Sequence, residues 1–449
     1  MTIQAYRARI LRFATDKAPL NSAINSAINS AIFEEDGLLV VGPNALGRPV
    51  VQAVGDYRSL IASFTAQHPN VAVQHLPDRI IAPGFVDMHI HYPQTDVIGS
   101  PADGLLPWLE NYTFPEEKCY AAGEYADQAA SFFIAELLRN GVTTALTFAT
   151  SHPESVQALF KEAQQQQLRL ITGKCLQDRH SPDGVRDQTE QSLIDTEALI
   201  QQWHGVDRLG YAITPRFAPS CSDAQMRGAG ELAARYPEVW IQSHVAENLD
   251  EVRWVKELYP QSRSYLQVYD DFGLLRKKAI YAHCIHFDAV DRALMAGSGA
   301  AAAVSPTSNL FLGSGFFDFK AADEAGMRYG LASDVGGGTS FSPFHTMLAA
   351  YYVGRAAVEQ GGSLKAGLSL SPQNLWWQHT AGAAKALGLE GVVGNLAVGC
   401  EADFIILNPQ AAPLLARRTR RAGSLDELLF AMIVLGDDRL VEKTVISRI

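Results

Sequence analysis

Between about residues 80 and 334 the chain alternates short apolar strands with amphipathic helical stretches, and no other feature constrains its fold as much. The strand-like segments are Ile80–His91, Thr143–Phe148, Leu168–Lys174, Leu209–Arg216, Val239–His244, Ala279–His283, Ala301–Ser305 and Met327–Asp334. Helical patterns lie between them, such as Tyr125–Asn140 stopped by Gly141, Asp223–Tyr236 and a pair spanning Leu249–Leu275. Strands alternating with helices build a parallel sheet. Eight such units over roughly 300 residues close into an α/β structure, the (β/α)₈ TIM barrel. The competing doubly wound open sheet needs a Gly-rich phosphate turn after strand one. Here strand one runs instead into a long loop, Tyr92 to about Glu124, rich in Pro, Gly and aromatic residues.

Helices near Phe344 and over Ser371–Leu387 complete the barrel, which is expected to span residues 80–387. The flanks, 1–79 and 388–449, read as short β segments, including Gly391–Asn408 and Met432–Ile449, and are expected to join in one small β-sandwich domain. Within the N-terminal flank, Ser22–Ile32 repeats a Ser-Ala-Ile-Asn unit whose period is far too short for a solenoid. We read it as an expanded low-complexity loop without chemistry.

Composition narrows the function. A chain with 47% hydrophobic and 19% charged residues can build a large core. Its net charge of −11 argues against general nucleic-acid binding. No membrane-length apolar run and no secretion signal is read. Five scattered cysteines without a Cys-x-x-Cys pair are expected to be reduced thiols, which points to the cytoplasm.

Chemistry-bearing residues collect at the strand ends. Strand one finishes in His89-Ile90-His91; residues two apart on a strand share a face, so both imidazoles can reach one ion. Strand four ends in Arg216, strand five in His244, strand six in His283 and strand eight in Asp334. Barrel active sites lie at this end of the strands. Of twelve histidines in the chain, four therefore fall at one mouth, too concentrated for ordinary core packing. Neutral imidazole and carboxylate suit Zn²⁺ and Fe²⁺ equally. Glu247, three residues past His244, can carry a proton between water and a leaving nitrogen, or can simply stabilise the start of the helix that follows. His283 is either a fifth ligand or a donor beside the reacting oxygen.

Pro83–His91, His244-x-x-Glu247, Ala282-His283 and Ser333-Asp334 together resemble the amidohydrolase superfamily, and the likeness extends over nearly the whole chain. The His-x-x-Glu after strand five is similar to the superfamily's metal-dependent deaminase branch. That resemblance implies one Zn²⁺ per subunit, with Fe²⁺ possible, held by His89, His91, His244, His283 and Asp334. The dinuclear branch would add a carbamylated lysine. Lys174 is the nearest candidate, although a structural or site-lining ammonium is the preferred reading of it. His89–Gln94, Leu106–Leu109, Thr113–Glu116, Thr214–Pro219, Ser305–Gly315 and Leu435–Arg439 are similar to the guanine-deaminating members, with Ser305 where a cysteine is expected. By that resemblance the chain is a cytoplasmic homodimer acting on guanine. Arg216 offers a planar fork to the O6/N7 edge of guanine. Gln94 can donate and accept at another edge, Trp108 and Phe217 can cover the ring, and His91 and Glu247 stand beside it. Glu247, Asp334 and His283 are then the catalytic groups. Related substrates with the same machinery would be an oxidised purine, a pterin, a cytosine-like base or an s-triazine. A non-catalytic scaffold predicts broken ligands, and all are intact.

Overall fold

The computed structural model describes residues 3–14, 31–356, 358–360, 363–365 and 367–447; apart from Ala31 and Ile32, the Ser-Ala-Ile-Asn repeat lies outside them. Four strands open the chain: β1 (Gln4–Phe13), β2 (Ala31–Pro43), β3 (Pro49–Asp56) and β4 (Val73–Pro83). The barrel strands follow as β5 (Phe85–His91), β6 (Val142–Phe148), β7 (Arg169–Gly173), the two-residue β8 (Cys175–Leu176), β9 (Leu209–Pro215), β10 (Trp240–Val245), β11 (Ala279–His283), β12 (Ala301–Val304) and β13 (Arg328–Leu331). A hairpin, β14 (Val358–Gln360) and β15 (Ser363–Lys365), precedes β16 (Phe404–Leu407) and β17 (Val441–Val445).

The parallel sheet runs β5-β6-β7-β9-β10-β11-β12-β13, as the alternation predicts. Its ends meet at the top, where the Asp334 amide donates to the His89 carbonyl (2.9 Å) and the His91 amide to that of Val335 (2.8 Å). The circle is thus sealed by the residues that carry the candidate ligands. Below them the interior is filled by Val86, Met88, Leu146, Ile171, Ala212, Ile280, Ala301 and Ala303. Ala383, Ala384 and Leu387, from the end of the barrel segment, plug its floor. Both chain ends contribute to a second, mixed sheet in the order β17-β16-β4-β1-β2-β3.

Three expectations need correction. First, Ile80–Pro83 belongs to β4 in the mixed sheet, and only from Phe85 does the chain join the barrel. The junction is Gly84, where a Cβ would stand 2.1 Å from the Thr143 hydroxyl oxygen, so only glycine lets the two sheets approach this closely. Second, Met432–Leu435 is helical, the end of a helix over Leu425–Leu435 capped by Ser424. A short apolar run cannot tell a buried helix from a strand by periodicity alone. Likewise only Phe404–Leu407 of Gly391–Asn408 forms a strand. Third, the loop after strand one is wound into short helical turns from Tyr92 to Ala121, which carry Gln94, Trp108 and Glu117 towards the barrel mouth.

Candidate active site

Four imidazoles and one carboxylate converge above the barrel. His91 Nε2 stands 3.2 Å from His89 Nε2 and 3.1 Å from His244 Nε2. Asp334 Oδ1 lies 3.1 Å from His89 Nε2 and 3.5 Å from His91 Nε2. The groups His89/His91/Asp334 and His89/His244/His283 each bring their ligand atoms within 4.8 Å of one another. The strand pairing explains part of this focus. The β5–β6 register shifts between Asp87 and Ile90, so Met88 packs inward and His89 still points inward after it. Such a bulge re-aims side chains, as bulges beside active sites do.

A divalent cation fits this donor set. Ligands held at about 2 Å from one ion stand roughly 3.3 Å apart, close to the spacings found here. Burial pushes the pKa values of His91 and His244 well below the usual histidine value, which leaves the neutral imidazoles a metal requires. The far nitrogen of His244, Nδ1, faces the Arg216 carbonyl at 2.6 Å, which orients Nε2 inward. Burial opposes ionisation of Asp334, but His89, His283 and Ser308 outweigh it and hold its carboxyl down at about 2.

Glu247 lies against the same cluster. Its Oε2 is 3.3 Å from His283 Nε2, and its Oε1 accepts from the Ser314 hydroxyl (3.0 Å). Burial raises its pKa to about 7. The helix-stabilising role weighed for Glu247 belongs to Glu251, whose Oε2 accepts from the amides of Glu247 (3.0 Å) and Asn248 (3.2 Å). Glu247 is therefore free to face the ligands. His283 Nδ1 is paired with Asn309 Oδ1 (2.8 Å), and its Nε2 is also 3.8 Å from Asp334 Oδ2. Although burial disfavours a charged His283 ring, the carboxylates of Glu247 and Asp334 prevail and raise its pKa. Ala246, His283 and Asp334 all have left-handed backbones (φ 49°, 72° and 52°). Strain of this kind persists only where the surroundings over-determine it, as at functional sites.

A cleft with about 420 Å³ of free space, part of it open to solvent, is lined by His91, Gln94, Trp108, Arg216, Phe217, Glu247, His283 and Asp334. Gln94 Oε1 accepts from the Gly336 amide (3.2 Å), so its orientation is set by the segment that follows Asp334. A Cβ on Gly336 would fall 2.3 Å from the Gln94 carbonyl oxygen. The buried indole nitrogen of Trp108 has no protein partner. Arg216 Nη1 donates to both carboxylate oxygens of Glu117 (2.9 and 2.7 Å).

The expected site residues thus come together, all of them lining one cleft except His89, which stands against His91 and Asp334. Lys174 does not join them: its ammonium donates to Asp187 Oδ2 and Ser192 Oγ, both at 2.7 Å, as a buried structural cation. Sequence reasoning missed Glu117, Glu251, Asn309 and Ser314. Asn309 and Ser314 lie inside the singled-out Ser305–Gly315 stretch, and Glu117 directly follows Thr113–Glu116.

A parallel eight-stranded barrel with a cluster of histidines and an aspartate above its strand ends is the arrangement of metal-dependent hydrolases of the barrel type. The amidohydrolase family profile matches residues 80–447, and the chain belongs to that family. It is 41% identical to the guanine deaminase of Escherichia coli K12 over 416 residues, 92% of this chain and 91% of the relative. Among solved structures, guanine deaminase from Bradyrhizobium japonicum superposes with a TM-score of 0.91 at 33% identity, covering 100% of this chain and 98% of the other. Guanine deaminase from C. acetobutylicum, with guanine bound in its active site, gives 0.86 at 28% identity, with 99% of each chain covered.

Proposed function

We propose that this chain is a guanine aminohydrolase, which replaces the C2 amino group of guanine by a carbonyl oxygen and releases xanthine and ammonia. The observation that carries the reading is the placement of Glu247: a buried carboxylate beside the His/Asp cluster, facing a cleft walled by Arg216, Gln94, Trp108 and Phe217. The 41% identity to a guanine deaminase, extending along nearly the whole chain, supports the choice of substrate.

His89, His91, His244 and Asp334, with His283 close by, are the residues that would hold one Zn²⁺. Bound there, the cation would supply a water acidic enough to act as a nucleophile near pH 7. Asp334, ionised at neutral pH, takes the proton of the attacking water. Glu247, with a pKa of about 7, can accept and return protons there. Protonated Glu247 delivers one to ring nitrogen N3 as oxygen adds to C2, then takes up the proton that the C2 hydroxyl loses as the carbonyl forms and passes it to the amino group as the C2–N bond breaks; the proton held on Asp334 returns to Glu247 and resets the site. His283 donates to the oxygen as charge develops on it. Gln94 and Arg216 hold the purine edges, and the free indole N–H of Trp108 offers one more donor alongside the ring face of Phe217. The same reading takes zinc as the native metal, a homodimer as the assembly and the cytoplasm as the location.

Ultraviolet absorbance of zinc-loaded protein with guanine, with ammonia assayed in parallel, tests the proposal. Stoichiometric xanthine and ammonia are expected, with activity lost on chelation and restored by zinc. No turnover by protein shown to hold metal would discard guanine as the substrate.

A further inference from the structure

Arg216 is buried in the cleft wall, and Glu117, with no exposed surface at all, is paired with it. Glu117 ends the helical turn Phe114–Glu117 after strand one, whereas Arg216 directly follows β9, so the pair joins two otherwise separate walls. Both carboxylate oxygens engage Nη1 alone, and Phe114 lies 5.1 Å from the guanidinium carbon. The remaining N–H groups of the fork are not spent on Glu117. An isolated guanidinium in such a place would be costly, and it would attract any anion small enough to enter. Once it is paired, its charge is offset through Nη1, while its other N–H groups stay clear of Glu117, with the buried Cys175 thiol as a further hydrogen-bond partner of the guanidinium.

We infer that Glu117 is a specificity-determining positioning residue: it fixes the Arg216 fork and cancels its charge, so that the cleft favours a neutral purine over an anionic one. The inference rests on the proposed guanine reaction and deepens it. Replacing the amino group by a carbonyl turns a neutral aminopurine into a dioxopurine with a more acidic ring N–H. The product is then the ligand that gains least from the neutralised pair, and the pair promotes its release.

The test compares xanthine inhibition constants with the guanine KM in wild type, Glu117→Gln and Glu117→Asp, at one pH where xanthine is anionic and one where it is neutral. In Glu117→Gln the ratio of xanthine Ki to guanine KM is expected to fall by roughly tenfold where xanthine is anionic, the scale of one buried charge contact. It should change little where xanthine is neutral, and Glu117→Asp should restore the wild-type ratio. A merely structural role would weaken both ligands together; an unchanged ratio overturns the inference. Should Glu117→Gln fail to fold, wild type alone decides. Its xanthine Ki should weaken as the ligand ionises, and a Ki that tightens refutes the role. Wild type that does not turn over guanine at all would instead refute the proposed reaction.

Discussion

Replacing Glu247 by glutamine isolates proton transfer from everything else the site does. The amide matches the carboxylate in size, and its carbonyl oxygen can still accept from Ser314 Oγ, which is 3.0 Å away. Glu251 continues to hold the Glu247 amide at 3.0 Å, so the turn leading into the next helix is unaffected. The contact of Glu247 with the histidine cluster is to His283 Nε2, at 3.3 Å, whereas His89, His91, His244 and Asp334 contact one another without it. Metal content should therefore stay near one per subunit. Proton transfer by a positioned side chain contributes about 10²–10⁴-fold, and Glu247 is asked to act twice, at N3 and at the leaving amine. A loss near the upper end, about 5 kcal/mol of barrier at 1.36 kcal/mol per decade, is expected in kcat. Steady-state turnover followed by absorbance, with zinc measured on the same sample, reads both quantities. Glu247→Gln retaining more than about a tenth of wild-type kcat with full metal would refute the proton-carrier role. Loss of metal from that variant would recast Glu247 as a ligand.

Two further perturbations test the scaffold. Arg208 is buried just before β9, where it donates to Glu401 Oε2 (2.7 Å) and the Gln167 carbonyl (3.0 Å) and pairs with buried Asp403, tying the barrel to the segment that leads into β16. Arg208→Met leaves Asp403 uncompensated and should cost about 3–5 kcal/mol, read as a lower urea midpoint. An unchanged midpoint would show that the Ser447 amide, 2.9 Å from Asp403 Oδ1, suffices. Asp323, half-buried with Tyr329 donating to it at 2.7 Å, has its pKa raised by burial to about 6. Its folded pKa exceeds the unfolded value of about 4, so the folded chain binds the extra proton, and stability falls as pH rises between the two. Asp323→Asn should therefore raise the melting temperature at neutral pH, with the gain shrinking as pH falls from about 6 to about 4. A gain that persists undiminished at about pH 4 would contradict the assignment.

The barrel was legible in the sequence because its signals are local. Each strand is a short apolar run ended by a polar residue, and that residue falls at the active end of the barrel by construction. His244 and His283 could be placed from that rule alone, whereas Asp334, expected to end the last barrel strand, lies three residues past β13. What stayed hidden depends on contacts between distant segments. Glu117 is one acidic residue among several in Thr113–Glu124, and only the folded loop brings it to Arg216, 99 residues away. Strict alternation puts His89 and His91 on one face, yet it does not foresee that Met88 faces inward with them, because a bulge adds a residue outside the period. The helix at Leu425–Leu435 was read partly as strand because its apolar residues occupy every face, which erases the 3.6-residue period.

The contacts that escaped the sequence, including those of residues it did single out, are also those that hold the site in register. Arg216 is the clearest instance, since its carbonyl orients His244, a proposed metal ligand, while its guanidinium, braced by Glu117, lines the cleft. Gln94 behaves alike: its side-chain carbonyl is held by Gly336, two residues past Asp334, while the rest of the amide faces the cleft. The proposed metal ligands and the groups proposed to face the substrate are thereby joined through single residues or short turns. A substrate that displaces Arg216 or Gln94 must also disturb His244 or Asp334. Poor fit at the purine edge is thus expected to appear as lost turnover as well as weak binding, because correct orientation of the ring and correct orientation of the ligands are one requirement.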